Sequence, residues 1–325
     1  MQLQSWLIHP FTPHCPAGMM DTRGVPAQGL RIAVVVLLAG TAVCLSQPAP
    51  TWSSAVAAAA RQSPQARIVV LDISTGRQLA ANHLSEAART LAAPGSTLKP
   101  LALYSLVDSA RWDPSRRIAC DRNLHIAGRS LACSHPPVDP MDARQALAWS
   151  CNTYFAAVAR TLAPGDLHRL LASSGLLGQT GLAPAEAAAV FRDPRTPDES
   201  ALTLLGVDGI RITPLELASA YRWLALQLAA HPNSAAAQVV STGLADSASF
   251  GIAAPADRGG VPVAGKTGTA NLGPGTPSHG WFAGLVPAGH PIAVIAIYLP
   301  AGHGANAAEI AATLLANSPL RQTQP

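Results

Sequence analysis

Charge is scarce in this 325-residue chain: Asp, Glu, Lys and Arg together make up 12% of it, about half the ~25% of an average soluble domain. No run of five like charges occurs anywhere. Disordered chains and chains that wrap nucleic acid need abundant charge, so both classes are excluded and no nucleic-acid partner is expected. The net charge of +4 and the pI near 9.0 follow from few acids, not from a basic cluster. Aromatic residues are also few, at 5%, yet hydrophobic residues reach 49%. A chain of this length fits one or two domains and builds a core that needs no disulfide or metal to stay folded.

Lysine is scarcer still. Of the 22 cationic residues 20 are Arg, and the two lysines are Lys99 and Lys266. Arg is always protonated, whereas a desolvated Lys amine can lose its proton and act as a base, and its compact head fits where a planar fork does not. Compositional drift toward Arg explains the shortage but not which two lysines survive. Both stand inside short motifs.

Long hydrophobic runs are absent apart from one: Ile32 to Leu45, IAVVVLLAGTAVCL, 14 residues behind Arg23 and Arg31. A membrane span needs about 20 residues, whereas a secretory signal needs fewer. Residues 1–46 therefore read as a leader, a cleaved signal or an uncleaved anchor, which places the body in the periplasm or another extracytoplasmic space, with anchorage to the cytoplasmic membrane as the alternative. Met19 or Met20 is an alternative start. Residues 47–66, rich in Pro, Ser, Ala and Gln, read as a linker, and 67–325 as the folded domain.

Cysteine is limited to five: Cys15 and Cys44 in the leader, then Cys120, Cys133 and Cys151. Cys120 and Cys133 flank a polar loop, and a bridge between them would contribute about 3 kcal/mol through loop closure, leaving Cys151 over. The spacing matches no zinc pattern, so neither a metal nor a cofactor is expected.

Hydrophobic periodicity changes twice along the domain. Arg67–Asp72 and Arg77–Ala81 form a hairpin around Ser74-Thr75-Gly76. A helical middle follows, with apolar positions at helical spacing after Leu98, across Asp142–Leu162, and from Thr213-Pro214 towards Leu228. Three strands, Val263–Ala270, His279–Leu285 and Ile292–Leu299, then precede a helix at Ala305–Leu315. Short connections between the last strands favour antiparallel pairing. The expected fold is α+β: a five-stranded antiparallel sheet flanked by terminal helices, with a mostly helical subdomain inserted between strands two and three.

Lys99 lies in Pro94–Pro100 (PGSTLKP), where Ser96 and Lys99 share a helix face. A neutral Lys there can activate the Ser hydroxyl as a nucleophile; the plain alternative is an N-cap followed by a solvated Lys. Lys266 lies in Val263–Ala270 (VAGKTGTA), and between the lysines stands Ser150-Cys151-Asn152. Each triplet alone means little. Together they run in order, 54 and 116 residues apart, and contain both lysines of the chain.

The chain here resembles the penicillin-binding transpeptidase family, whose S-x-x-K and K-T-G elements are catalytic motifs shared with β-lactamases. SCNTYF at Ser150–Phe155, TPLELASAY at Thr213–Tyr221 and HGWFAGLVP at His279–Pro287 extend the likeness. Leu98 stands at an aromatic position of the family, Arg222 where a final Ala is usual, and Asn271 where Gln or Glu is frequent. The resemblance implies a β-lactamase/transpeptidase-like fold, with Ser96 as acyl-accepting nucleophile and Lys99 as its base. Ser150, Asn152 and Lys266 would form the surrounding network, while Thr267, Gly268 and Thr269 would bind substrate, the threonines on its carboxylate. The amides of Ser96 and Thr269 would form an oxyanion hole.

It further implies a serine D,D-transpeptidase or D,D-carboxypeptidase acting on D-Ala-D-Ala peptidoglycan stem peptides. Such an enzyme is inhibited covalently by β-lactam antibiotics and has other cell-wall synthesis proteins as candidate partners. Only 66 residues precede Arg67, so a transpeptidase domain without the family's large preceding domain is expected. A β-lactamase and a sensor or scaffold with little turnover remain alternatives. His279, Trp281 and Phe282 read as packing, Cys151 as a small buried residue, and Asp72, Asp142 and Glu216 as turn or helix-surface acids.

Overall fold

Short apolar runs near the two ends of the domain join in one sheet. A computed structural model describes residues 49–323 apart from 139 and 272–274; the leader of residues 1–46 lies outside the described residues. Helix α1 (Trp52–Gln62) leads into β1 (Arg67–Asp72) and β2 (Gln78–Asn82), followed by α2 (Leu84–Ala87), a 3-10 turn at Gly95–Leu98 and α3 (Lys99–Asp108). The middle holds β3 (His125–Ile126), β4 (Arg129–Ser130), α4 (Ala143–Trp149), α5 (Asn152–Ala159), α6 (Asp166–Ser173), β5 (Val190–Phe191), α7 (Pro197–Leu204), β6 (Ile210–Arg211), α8 (Pro214–Ala230) and α9 (Ala235–Ser249). Strands β7 (Ala264–Asn271), β8 (Ser278–Val286) and β9 (Ala293–Leu299) precede α10 (Gly304–Ala316).

The main sheet runs β2-β1-β9-β8-β7, antiparallel at each pairing. This is the α+β arrangement expected from the sequence. Strand β9 sits at its centre and is buried at every position. Its period-2 alternation sends Val294, Ala296 and Tyr298 into the core shared with the helical insert, and Ile295, Ile297 and Leu299 into the core beneath α1 and α10. A strand covered on both faces reads as a continuous apolar run, as AVIAIYL does.

Helix starts follow local chemistry. Thr213 caps α8: its Oγ1 accepts the Glu216 N–H at 3.1 Å, and the Glu216 carboxylate accepts the Thr213 N–H at 2.7 Å, with Pro214 in the first turn. Asp142 caps α4 in the same reciprocal way with Gln145. Asp72 accepts from the Ser74 hydroxyl and the Thr75 N–H, both at 2.7 Å, and so closes the first hairpin turn. Glu216 departs from the surface role expected of it. It is 1% exposed and also accepts the Ala189 N–H at 2.7 Å, so it fastens a loop of the insert.

Two further expectations need correcting. Residues 47–66, read as a linker, contain α1, whose Ala55, Val56 and Ala59 are buried in the core beneath the sheet. Its small alanines let the helix approach the sheet closely. The helix expected across Asp142–Leu162 is broken into α4 and α5 by Ser150, which adopts a left-handed conformation at φ 58° and ψ 37°. Among the described residues no helix is long and apolar enough to cross a membrane.

Candidate active site

The turn carrying Ser96 is held from several sides. Gly95 has φ +56°, and a Cβ there would lie 2.7 Å from the Thr269 backbone N. Across the same contact, a Cβ on Gly268 would lie 2.3 Å from the Pro94 carbonyl oxygen. Only glycines let β7 and the turn meet this closely. Behind them, the Ala93 carbonyl accepts His279 Nε2–H at 2.8 Å and Trp281 Nε1–H at 2.9 Å, and the Thr97 carbonyl accepts the Tyr221 hydroxyl at 3.0 Å. His279, Trp281 and Tyr221 thus do more than pack: their polar ends anchor the Ser96 turn. Burial pushes the His279 pKa down, in keeping with a neutral ring that donates through Nε2.

Lys99 begins α3 one turn after Ser96 and is fully buried. Its Nζ donates to the Ser150 carbonyl at 2.8 Å, the Ser150 Oγ at 3.2 Å and the Asn152 Oδ1 at 2.7 Å. These bonds reward the left-handed conformation of Ser150, a strain of about 1–3 kcal/mol for a residue other than glycine. Asn152 is oriented in turn by its Nδ2, which donates to the Leu131 carbonyl at 3.0 Å. Burial lowers the Lys99 pKa to about 8, against an opposing pull from Cys133, Cys151 and Cys120. About a tenth of the amine is therefore neutral near pH 7, rising with pH, as a general base requires.

Lys266 is also fully buried on β7, its Nζ donating to the Thr267 carbonyl at 3.1 Å. Burial pushes its pKa well below the usual lysine range, and the neighbouring Lys99 charge adds to the effect. Thr267 is buried, while Thr269 is exposed and accepts the Gly304 N–H on Oγ1 at 2.9 Å. Ser96, Ser150, Asn152, Thr267 and Thr269 all line one cleft of about 490 Å³. Strand β7, which carries Thr267 and Thr269, is an edge strand of the main sheet.

Sequence reasoning missed other parts of this wall. Ser130 from β4, Cys133 just after the β3–β4 hairpin, and His303, before α10, also line the cleft. It also missed that the three cysteines of the domain converge. The sulfurs of Cys120, Cys133 and Cys151 and a ring nitrogen of His135 lie within 4.8 Å of one another. The bridge considered between Cys120 and Cys133 is not formed: their sulfurs stand 3.7 Å apart, against about 2.05 Å for a disulfide.

A five-stranded antiparallel sheet with terminal helices on one face, a helical insert and a cleft where β7 meets the insert defines the β-lactamase/transpeptidase-like fold class. The chain belongs to the penicillin-binding protein transpeptidase domain family, whose sequence profile matches residues 66–317. Among solved structures, the TP domain of Burkholderia pseudomallei penicillin-binding protein 3 superposes with a TM-score of 0.69 at 21% identity, covering 82% of this chain and 95% of that one. A peptidoglycan glycosyltransferase from Burkholderia ambifaria gives 0.69 at 20% identity, with 83% and 92% covered. Pseudomonas aeruginosa PBP2, in complex with WCK 5153, gives 0.69 at 19% identity, with 81% and 75% covered. No curated protein matches the sequence.

Proposed function

We propose that the chain is an exported serine D,D-transpeptidase that cleaves D-Ala-D-Ala stem peptides of peptidoglycan through an acyl-Ser96 intermediate. One observation carries this reading: a fully buried lysine, Lys99, is hydrogen-bonded to Ser150 and Asn152 at the cleft that also holds Ser96, Thr267 and Thr269. In this reading the Thr267 and Thr269 hydroxyls receive the terminal carboxylate, and Lys266 becomes protonated as that anion arrives. The neutral Lys99 amine takes the Ser96 hydroxyl proton while Oγ attacks the penultimate D-Ala carbonyl carbon. The amides of Ser96 and Thr269 then hold the oxyanion, the arrangement expected to supply most of the acceleration.

Collapse of the tetrahedral intermediate breaks the C–N bond, and D-Ala departs with a proton relayed by way of Ser150. An acceptor amine, or water in a carboxypeptidase reaction, then attacks the acyl-serine. A β-lactam follows the first half of this path, its ring amide taking the place of the scissile peptide.

The test is labelling with a fluorescent penicillin. Ser96→Ala removes one hydroxyl from a turn and no core volume, so the variant keeps its fold and loses all covalent label. Retained covalent label on a folded Ser96→Ala protein would refute the role given to Ser96. Export is tested separately with a reporter fused after Ser53, which is expected to be active only outside the cytoplasm. Activity confined to the cytoplasm would remove that part of the reading.

A further inference from the structure

Among the described residues between α3 and α4, the two-residue strands β3 and β4 are the only helix or strand elements. Irregular stretches of this length are uncommon in compact domains unless they are functional or fastened. Here three pieces of chain come together beside the cleft. Cys120 precedes the β3–β4 hairpin, Cys133 and His135 follow it, and Cys151 stands at the N-cap of α5. His135, Cys133 and Cys151 are 2%, 8% and 1% exposed.

We propose that Cys120, Cys133, His135 and Cys151 hold a structural Zn²⁺ that pins the Ser150–Asn152 turn to the β3–β4 hairpin. Zinc takes thiolate and imidazole ligands in a closed tetrahedron, with Zn–S near 2.3 Å and Zn–N near 2.0–2.1 Å. Those bond lengths make the tetrahedron's edges about 3.8 Å between sulfurs and about 3.5 Å from sulfur to nitrogen. Two observed edges agree: Cys120 Sγ to Cys133 Sγ is 3.7 Å, and Cys120 Sγ to His135 Nε2 is 3.4 Å. Cys120 Sγ lies 2.6 Å from Cys151 Sγ, so this edge opens by about an ångström around the ion. Cys120 is the least buried of the four.

The surrounding groups suit a metal centre as well. His135 Nδ1 lies 2.6 Å from the Pro136 carbonyl. A carbonyl only accepts, so Nδ1 carries the hydrogen and Nε2 presents its lone pair to the sulfurs, the orientation typical of a metal-bound histidine. The Asn152 N–H donates to Cys133 Sγ at 3.2 Å, and the Tyr154 N–H donates to Cys151 Sγ at 3.4 Å. Both bonds direct positive dipoles at sulfurs that carry thiolate charge when metal is bound. On binding, three thiols release three protons, three Zn–S bonds and one Zn–N bond form, and no electrons are transferred.

The ion would not touch substrate. Cys151 sits between Ser150 and Asn152, the two residues that receive Lys99, so fixing its sulfur fixes the turn on which that contact depends. This consequence rests on the function proposed above, whereas metal binding itself does not.

The experiment measures metal in the full chain, purified without chelator and under reducing conditions. About one zinc per chain is expected in the wild type and in Ser96→Ala, with release when an organomercurial titrates the thiols. His135→Ala and Cys120→Ser are expected to lose the metal, by about tenfold or more in affinity. Replacement by Co²⁺ is expected to give thiolate-to-cobalt charge-transfer bands that report the ligand set without reference to activity. Chelated protein is expected to react with fluorescent penicillin at least about tenfold more slowly, as the turn loses its geometry, and to recover with stoichiometric zinc.

Absence of zinc from reduced wild-type protein, iron or copper in its place, or a disulfide among these cysteines in protein isolated from its native compartment would overturn the proposal. Full zinc content in protein that never labels with penicillin would uphold the metal site and defeat the acyl-enzyme reading instead.

Discussion

Replacing Lys99 by Arg is expected to lower the rate of acylation by a β-lactam by about 10²- to 10⁴-fold, the loss that follows removal of a positioned general base. Arg keeps the positive charge but must fit a larger head into a fully buried space. Acylation is therefore compared on variant protein shown by its thermal melt to be folded, where a merely electrostatic role would leave much of the rate. What Arg cannot supply is a neutral nitrogen at any accessible pH. The wild-type pH profile provides a second reading of the same group. With the Lys99 pKa lowered to about 8 by burial, the acylation rate constant rises about tenfold per unit below that pH and levels off above it. Both quantities come from stopped-flow or gel-based labelling over a pH series. A Lys99→Arg variant within a few-fold of wild type, or a flat profile from pH 6 to 9, would show that Lys99 does not carry the proton.

Much of this site was legible because its motifs are local and its strands are short apolar runs bounded by turn residues. Gly265–Ala270 announces both a strand and a lysine within it, and β7 has the glycine-only contacts that such a motif suggests. The five-stranded antiparallel sheet could be reasoned from the hairpin at one end of the domain and the three closely spaced strands at the other, whereas the β1–β9 pairing that sets the strand order shows only in the fold. The break at Ser150 was not legible. A left-handed serine is locally unfavourable, and what stabilises it is the Lys99 ammonium, 51 residues earlier in the chain. The burial of Glu216 escaped for a similar reason, since the Ala189 amide that it accepts lies 27 residues away.

Helix α1 escaped because its Pro-, Ser-, Ala- and Gln-rich surroundings read as a linker by composition, although its buried residues Ala55, Val56, Ala58 and Ala59 share one helix face. The cysteine and histidine cluster was invisible to spacing rules, which describe ligands paired within one turn. These ligands come from both sides of a hairpin and from a helix start, so only the fold reveals their convergence.

Lys266→Arg tests an inference in which sequence and structure disagree. Read from sequence alone, Lys266 needs mainly positive charge beside a carboxylate, and Arg should be the milder of the two lysine replacements. In the fold, Lys266 is fully buried and donates to the adjacent Thr267 carbonyl, so its side chain occupies an enclosed space. A guanidinium overfills such a space, at a cost of about 1–3 kcal/mol, and brings a charge that cannot be discharged. Lys266 escapes the second penalty by shedding its proton, since burial already lowers its pKa well below the usual range. Lys266→Arg is therefore expected to lose about 3 kcal/mol or more of stability, seen as a fall in Tm of roughly 6–12 °C for a domain of this size. Lys266→Met, uncharged and of similar length, is expected to lose less stability than Arg while binding the carboxylate poorly. The pH dependence gives the sign. Between the lowered native pKa and the unfolded value near 10.4, the unfolded wild type binds more protons at this position than the native state does, so wild-type stability rises with pH. Arg at 266 titrates in neither state over that range, so the Tm gap between wild type and Lys266→Arg widens as pH increases. Thermal melts of both proteins from pH 6 to 9 decide the matter: a constant gap, or a variant as stable as wild type, would mean that Lys266 is protonated in the free enzyme and that its site accepts any cation.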